Sequence, residues 1–433
     1  VIQIKQPALQ IWGGVEYTCN RVRDRYFDQL ALSGHGERLD DFDLIAGLGI
    51  QVLRHGLLWE HHHRDQSWKK ADVCIDRMTQ VGISPIIGLV HHGSGPPYTS
   101  LVDDSLPERL AAYAGAVAAR YPFIERYTPV NEPHTTARFS CMYGIWYPHH
   151  MDRTSYLRAL LRQVKGTVLS MEAVRKVRSD ALLIQTEDIG RICSTPELSS
   201  LSDLLNQRRW LPFDLLCGRV ERDHPMFDYL LENGIDEAEV LWFRDNPCIP
   251  DVIGVNYYLT SDRYLDHRVE LFPEDRMSAE GNFVDIEAVR VWPDGIVGFD
   301  ELLLEAWERF HLPVAITEVH LGGEVEEQIR WAAEAWSAAQ YARHKGASCV
   351  AITFWAMLGS YFWDALVTRN NGHYQPGVFD VRGGSPSPTE LADLVRQLSR
   401  GDEPRHSYLH HPGWWRSPNR ISFKLQEELA HAR

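Results

Sequence analysis

The amino-acid sequence predicts one α/β unit folded as a single (β/α)8 TIM barrel, on three observations. Eight short apolar, β-branched segments recur along the 433 residues. Their starts lie about 30 to 70 residues apart, room for a helix and its loops each time. Several are apolar almost throughout, as in parallel sheet buried on both faces, and helical periodicity fills the gaps. An open doubly wound sheet is the alternative arrangement of the same pattern.

The segments are, in order, "LQIWGGVEY" from Leu9, "GIQVLRHGLLW" from Gly49, "ISPIIGLVHH" from Ile83, "FIERYTPV" from Phe123, "ALLIQTE" from Ala181, "PDVIGVNYY" from Pro250, "LPVAITEV" from Leu312 and "ASCVAITFW" from Ala347. Three helices stand out between them. "PERLAAYAGAVAARYP" has Pro107 in its first turn and stops before Pro122. In "SYLRALLRQVKGTVLSMEAVRKVRSD", Leu157, Leu160, Leu161, Val164, Val168 and Met171 share one face. "VEEQIRWAAEAWSAAQYARHKG" closes on Gly346, a suitable C-terminal cap. Residues 1–400 are read as the barrel. Residues 401–433 form an aromatic, basic tail that packs on the barrel or on a neighbouring subunit of a homo-oligomer.

Composition narrows the function. The 59 acidic against 44 basic side chains leave a net charge of −15. That is no footprint for nucleic acid or an anionic membrane, and it favours a neutral or cationic small substrate. No two of the seven cysteines are closer than 24 residues. That spacing argues against a zinc ribbon, a redox motif or a disulfide scaffold, and points to a reducing, cytoplasmic setting. No signal-peptide core opens the sequence, and no apolar run approaches the ~20 residues of a membrane span.

Barrel sites gather at the C-terminal ends of the strands. The polar residues there are Glu16 and Asn20 after the first segment, Arg54 on the second, and His91 and His92 ending the third. Asn131 and Glu132 end the fourth, Asn256 and Tyr258 the sixth, Thr317 and Glu318 the seventh (followed by His320), and Trp355 the eighth. Glu132 and Glu318, 186 residues apart in the chain, thus face one mouth. Two opposed carboxylates suit cleavage of a glycosidic bond: one protonates the leaving oxygen, the other attacks the anomeric carbon. Each raises the pKa of the other, while Arg54 and Tyr258 are placed to hold one of them anionic. Either Glu alone reads better as an ordinary strand-end salt bridge; the pair is what points to catalysis. Trp59, Trp146, Trp355 and Trp363 offer faces for stacking on sugars. Glu16 either grips sugar hydroxyls or pairs with Arg54.

These segments resemble glycoside hydrolase family 1, the retaining β-glycosidases. "TPVNEP" is similar to the acid/base segment and "VAITEVH" to the nucleophile segment, which implies Glu132 as acid/base and Glu318 as nucleophile. "IGVNYY" places Asn256 and Tyr258, the tyrosine near the nucleophile; "VLRHGLLW" places Arg54. "LVHHGSGP" implies His91 as a sugar-hydroxyl ligand, with His92 where the family has tryptophan. "IWGG" resembles the first-strand motif, after which Asn20 falls where the family has a sugar-binding glutamine. "AITFWAMLG" gives Trp355. Val319 and His320 replace the usual Asn-Gly, and Phe362, beside Trp363, falls where an acidic residue holds the outer sugar hydroxyls. The wording is closest to a divergent branch whose barrel is sometimes fused to a sugar-nucleotide reductase, but no Gly-x-Gly-x-x-Gly fingerprint is present. The resemblance implies a β-glycosidase without cofactor or metal. The rival reading is a non-catalytic accessory barrel that binds a sugar or sugar-nucleotide for a partner enzyme.

Other motifs are weaker. "EHHHRD", Glu60 to Asp65, reads as a solvated loop rather than a metal site, because three consecutive His cannot all face one ion. The pairs at His149 and His410 read the same way.

Overall fold

The structure, a computed structural model, describes residues 7–423. All eight predicted segments form strands: β1 Gln10–Gly14, β2 Val52–Gly56, β3 Ser84–His91, β4 Arg126–Asn131, β5 Leu182–Asp188, β6 Val252–Asn256, β7 Val314–Val319 and β8 Cys349–Phe354. They pair in chain order, all parallel, and β1 joins β8 to close the barrel. Closure excludes the open doubly wound sheet.

The predicted helices lie outside this ring. Helix α1, Leu106–Arg120, carries Pro107 in its first turn, and α2, Arg153–Arg175, begins where the Asp152 carboxylate accepts from Ser155 N at 2.7 Å. All six apolar residues predicted for one face of α2 are buried. Helix α3, Val325–His344, runs into Gly346, whose φ of +100° no β-carbon favours.

The barrel interior is layered. Trp12, Val52, Ile86, Ile184, Val252, Ala315 and Ala351 form a separate apolar cluster that closes its lower end. Two positions further along the same strands stand Gly14, Arg54, Gly88, Thr186, Gly254, Thr317 and Thr353. Side chains two apart share a strand face, so the next layer consists of glycine, threonine and one arginine. Small residues leave the volume that a guanidinium and a tyrosine ring fill. A β-carbon on Gly88 would meet the Tyr17 hydroxyl at 2.5 Å, and one on Gly56 would meet the Tyr17 ring at 2.9 Å.

Long connections cover the C-terminal mouth. A hairpin of Cys19–Val22 and Arg25–Asp28 follows β1. Strands Ile192–Ser194, Arg263–Asp266 and Val284–Glu287 form a small sheet. The "EHHHRD" segment departs from expectation: Trp59–Asp65 is a helix, not a loop. Its His61 meets Asp28 at 2.8 Å, and that pairing with the hairpin fixes a turn which local sequence left open.

Residues 401–423 of the tail lie along α3 and the 288–293 segment. Trp415 is buried against Trp331, and its indole donates to Glu334 at 2.8 Å. Arg420 donates to the carbonyls of Trp292 and Pro293 at 3.0 and 2.7 Å. The last ten residues of that tail, like the first six of the chain, lie outside the described residues. Among the described residues no helix is long and apolar enough to cross a membrane. All seven cysteines are unpaired.

Candidate active site

β4 ends in Asn131, and the chain turns at Glu132 into the short helix Pro133–Ala137. Proline at the first helical position loses no hydrogen bond. The turn puts Glu132 in the left-handed region, φ +44° and ψ +63°. A residue with a β-carbon is strained there, and such strain persists only where neighbours impose it. β7 reaches the same mouth differently. Its register slips against both neighbours between Ile316 and Val319. A bulge breaks the alternation of faces, so Thr317 and Glu318, though consecutive, both meet the pocket network.

Arg54 is the hub of that network and is completely buried. One arm of its fork donates to Glu318 Oε1 at 3.0 Å and to the Thr317 carbonyl at 2.7 Å. The other donates to Asn131 Oδ1 at 2.8 Å. Its guanidinium carbon lies 4.7 Å from the Trp355 ring. A buried guanidinium is tolerable when its fork is paired in this way. Tyr258 donates to the second Glu318 oxygen at 2.5 Å. Glu318 therefore accepts from a cation and a phenol, both of which favour its anion.

Glu132 has other company. Asn256 donates to its Oε1 at 2.6 Å, and the Thr317 hydroxyl fixes that amide by donating to Asn256 Oδ1. Its Oε2 lies 3.7 Å from His92 Nε2. Burial holds His92 neutral, down at about 3. Burial first, then the charges of Glu318, Glu187 and Asp188, push the Glu132 carboxyl well above the carboxylate range. Burial also raises Glu318, and Arg54 and Tyr258 offset that rise only in part. The anion is thus favoured more strongly at Glu318, which has a guanidinium and a phenol donating to it, than at Glu132.

The remaining predicted residues divide. Thr186 and Arg54 both donate to Asn131 Oδ1, so the Asn131 amide nitrogen faces His91 Nε2, at 3.2 Å. That bond assigns the His91 proton to Nδ1, a buried donor without a protein partner among the described residues. Trp355 stacks on His91 at 5.4 Å, and Trp363 and Trp146 flank His92 at 5.7 and 5.3 Å.

Glu16 does not pair with Arg54. It accepts from Thr18 N at 2.8 Å and from the indoles of Trp355 and Trp363 at 3.3 and 3.1 Å. Burial pushes it up to about 7, against the Thr18 hydrogen bonds, and the Glu318 charge adds to the rise.

Further positions have protein partners of their own. The Phe362 ring packs with Phe27 and Val367, so protein rather than sugar covers it. Asn20 is fully buried and donates to the Val367 carbonyl at 3.1 Å, anchoring the loop after β8. Trp59 stacks on Tyr113 and Trp146 donates to the Leu366 carbonyl, so only Trp146 adjoins the aromatic cluster at His92. Loop side chains follow tertiary partners that lie hundreds of residues away, which motif order does not reveal.

Sequence reasoning missed Tyr17, whose ring lies 4.4 Å from His91 and 5.6 Å from Trp355. Glycine inside two strands, Gly56 and Gly88, was the available signal of a close approach. It also missed Glu187 and Asp188 at the end of β5. One metal-compatible group exists among the described residues, Cys19, Asp28 and His61. Asp28 there also accepts from Arg64 at 3.1 Å, a cation in the place an ion would compete for.

No protein-family model matches the chain. Its fold is shared with the family 1 β-glucosidases. The family 1 β-glucosidase from Thermotoga maritima superposes with a TM-score of 0.71 at 16% identity, covering 86% of this chain and 88% of that one. For a β-glucosidase from the same organism in complex with cyclophellitol the TM-score is 0.73 at 14% identity, over 93% and 100% of the two chains. At such identity the likeness is one of fold.

Proposed function

We propose that the protein is a retaining β-glycosidase of the family 1 type, acting on a small β-glycoside. The observation that supports this reading most is the opposite hydrogen bonding of the two carboxyl groups. Glu318 accepts from Arg54 and Tyr258. Glu132 sits among carboxylates and a neutral His92.

Glu318 attacks the anomeric carbon as Glu132 protonates the departing oxygen. The glycosyl-enzyme ester forms and the aglycone leaves. Glu132, now anionic, takes a proton from water, which displaces Glu318 and releases the sugar with retained configuration. Both steps use only protein carboxyl groups and water. Glu16, His91 and Asn131 hold hydroxyls of the sugar ring: Glu16 as an acceptor from the strand-one side, His91 and Asn131 as donors. The strand-eight loop supplies no carboxylate at Phe362, so recognition of the outer sugar end falls to Glu16.

A 2-deoxy-2-fluoro-β-glycoside with a dinitrophenolate leaving group tests this directly. The expected result is one sugar mass added to the peptide that carries Glu318, found by mass spectrometry. Sugar binding with neither label nor turnover across a nitrophenyl glycoside panel would replace this reading with the accessory sugar-binding barrel.

A further inference from the structure

Residue Glu132 is held in a strained backbone by something other than its own side chain. A residue preceding a helix usually caps it with its own oxygen. Glu132 makes no such bond, because its carboxyl group is in the pocket. The capping comes from β5. Glu187 Oε2 accepts from His134 N at 2.7 Å. Glu187 Oε1 accepts from Thr135 N at 3.2 Å and from the Thr135 hydroxyl at 2.9 Å. The residue before it joins in: the Glu132 amide donates to the Thr186 carbonyl at 3.2 Å, and the Thr186 hydroxyl donates to Asn131 at 2.7 Å. Every residue from Asn131 to Thr135 except Pro133 is thus tied to Thr186 or Glu187.

We propose that Glu187 is the positioning residue of the acid: it fixes the left-handed turn at Glu132 and stands behind it as a second carboxylate whose negative charge opposes that of Glu132. The groups facing Glu187 are all donors, the three above and its neighbour's amide, Asp188 N, at 3.2 Å. A neutral acid there would turn its own O–H toward a donor, so the hydrogen bonding selects the anion. Burial opposes this and pushes Glu187 up to about 8. The hydrogen bonds from His134 and Thr135 pull it down again but burial is the larger influence, so the charge is held in full only on the alkaline side of that value. Glu187 is 0% exposed, so no water screens its field at Glu132.

Other charges also face Glu132. Glu318 comes from β7 and Asp188 from β5, while Arg54 and Tyr258 act through Glu318. His92 on the β3 side and His134 on its own helix are held neutral by burial. Among the charges that raise the acid, Glu187 alone also grips the backbone of the helical turn that follows it. A nearby anion stabilises the protonated acid, so its removal lowers the pKa of Glu132. The limb on which activity falls as Glu132 deprotonates then moves to lower pH.

The kinetic part of the test rests on the proposed glycosidase reading; the spectroscopic part does not. In full-length protein, the pH profile of kcat/KM is measured for wild type, Glu187→Gln and Glu187→Asp. The Glu132 carboxyl is titrated in parallel by 13C NMR, its signal assigned by its loss in Glu132→Gln. In Glu187→Gln the basic limb and the NMR midpoint are expected to move down by about one pH unit. In Glu187→Asp, which keeps the charge but shortens the reach, both midpoints are expected to stay near wild type while kcat falls several-fold. Folded Glu187→Gln with both midpoints unmoved overturns the proposal and leaves Glu187 a structural cap. If wild type shows no turnover, the glycosidase reading fails alone and the NMR midpoints still decide this one.

Discussion

Glu318 near the end of β7 and Glu132 just beyond β4 are the same residue type at the mouth of one barrel, in different company. Around Glu318 stand a guanidinium and a phenol, both aimed at carboxylate oxygens. Around Glu132 stand an amide, a neutral imidazole and more carboxylates. Neither glutamate differs in itself. What differs is the net charge of the donors and acceptors within hydrogen-bonding reach, so division of labour in this mouth is a property of neighbours.

The comparison breaks hardest at Glu318. Glu318→Ala removes the only group able to form the ester, and kcat on every aryl glycoside is expected to fall by a factor on the order of 10⁵–10⁶. Steady-state assays on good and poor leaving groups should show equal losses. Glu132→Ala should instead separate the substrates. With poor leaving groups the loss is expected to be about 10²–10⁴, while dinitrophenyl glycosides, which need no proton, keep their first step. Azide should accelerate the second step and yield a β-glycosyl azide, identifiable by NMR. Equal losses on both leaving groups would take the acid role from Glu132.

Arg54→Lys tests the Glu318 side by its field. A point charge on a flexible stem cannot serve Glu318 and Asn131 together, so kcat/KM should fall about tenfold to a hundredfold. The weaker attraction leaves Glu318 with a higher pKa. Activity that needs the anion is lost as pH falls through that pKa, so the acid limb should move to higher pH. Movement to lower pH would contradict the assignment. The smallest effect concerns the sugar. Glu16→Gln should weaken binding of the preferred glycone about tenfold through one lost charged acceptor. With Phe362 where a carboxylate would hold the outer hydroxyls, β-fucosides or a pentoside should exceed β-glucosides in kcat/KM. Strong glucosidase activity indifferent to Glu16 would remove Glu16 from the sugar site.

The barrel was legible because its signals are local and periodic. Each strand is a short apolar run, and the α2 face repeats every three to four residues. Both glutamates of the pair were legible because strand ends bring them to one mouth. Side-chain direction beyond the strands was not. Phe362 could be aligned to a position, yet it turns to Phe27, some three hundred residues away in the chain. Asn20 likewise turns to Val367. Glu187 closes a predicted strand, but nothing in "ALLIQTE" indicates that the amides beyond β4 will lie against it. Tyr17 left a trace only through the glycines it requires, and a glycine states that space is needed without stating who fills it.

Arg54 carries a further consequence. Its two arms reach Glu318 on β7 and Asn131 on β4, opposite walls of the mouth. A guanidinium is flat and stiff, so it acts as a gauge block between them. Retention requires the two carboxyl groups to stand about 5–5.5 Å apart, and inversion requires roughly 6.5–9.5 Å. The width of this mouth is thereby tied to the span of one side chain that never touches the anomeric carbon. A shorter or softer side chain at that position frees Glu318 and Asn131 from their common donor.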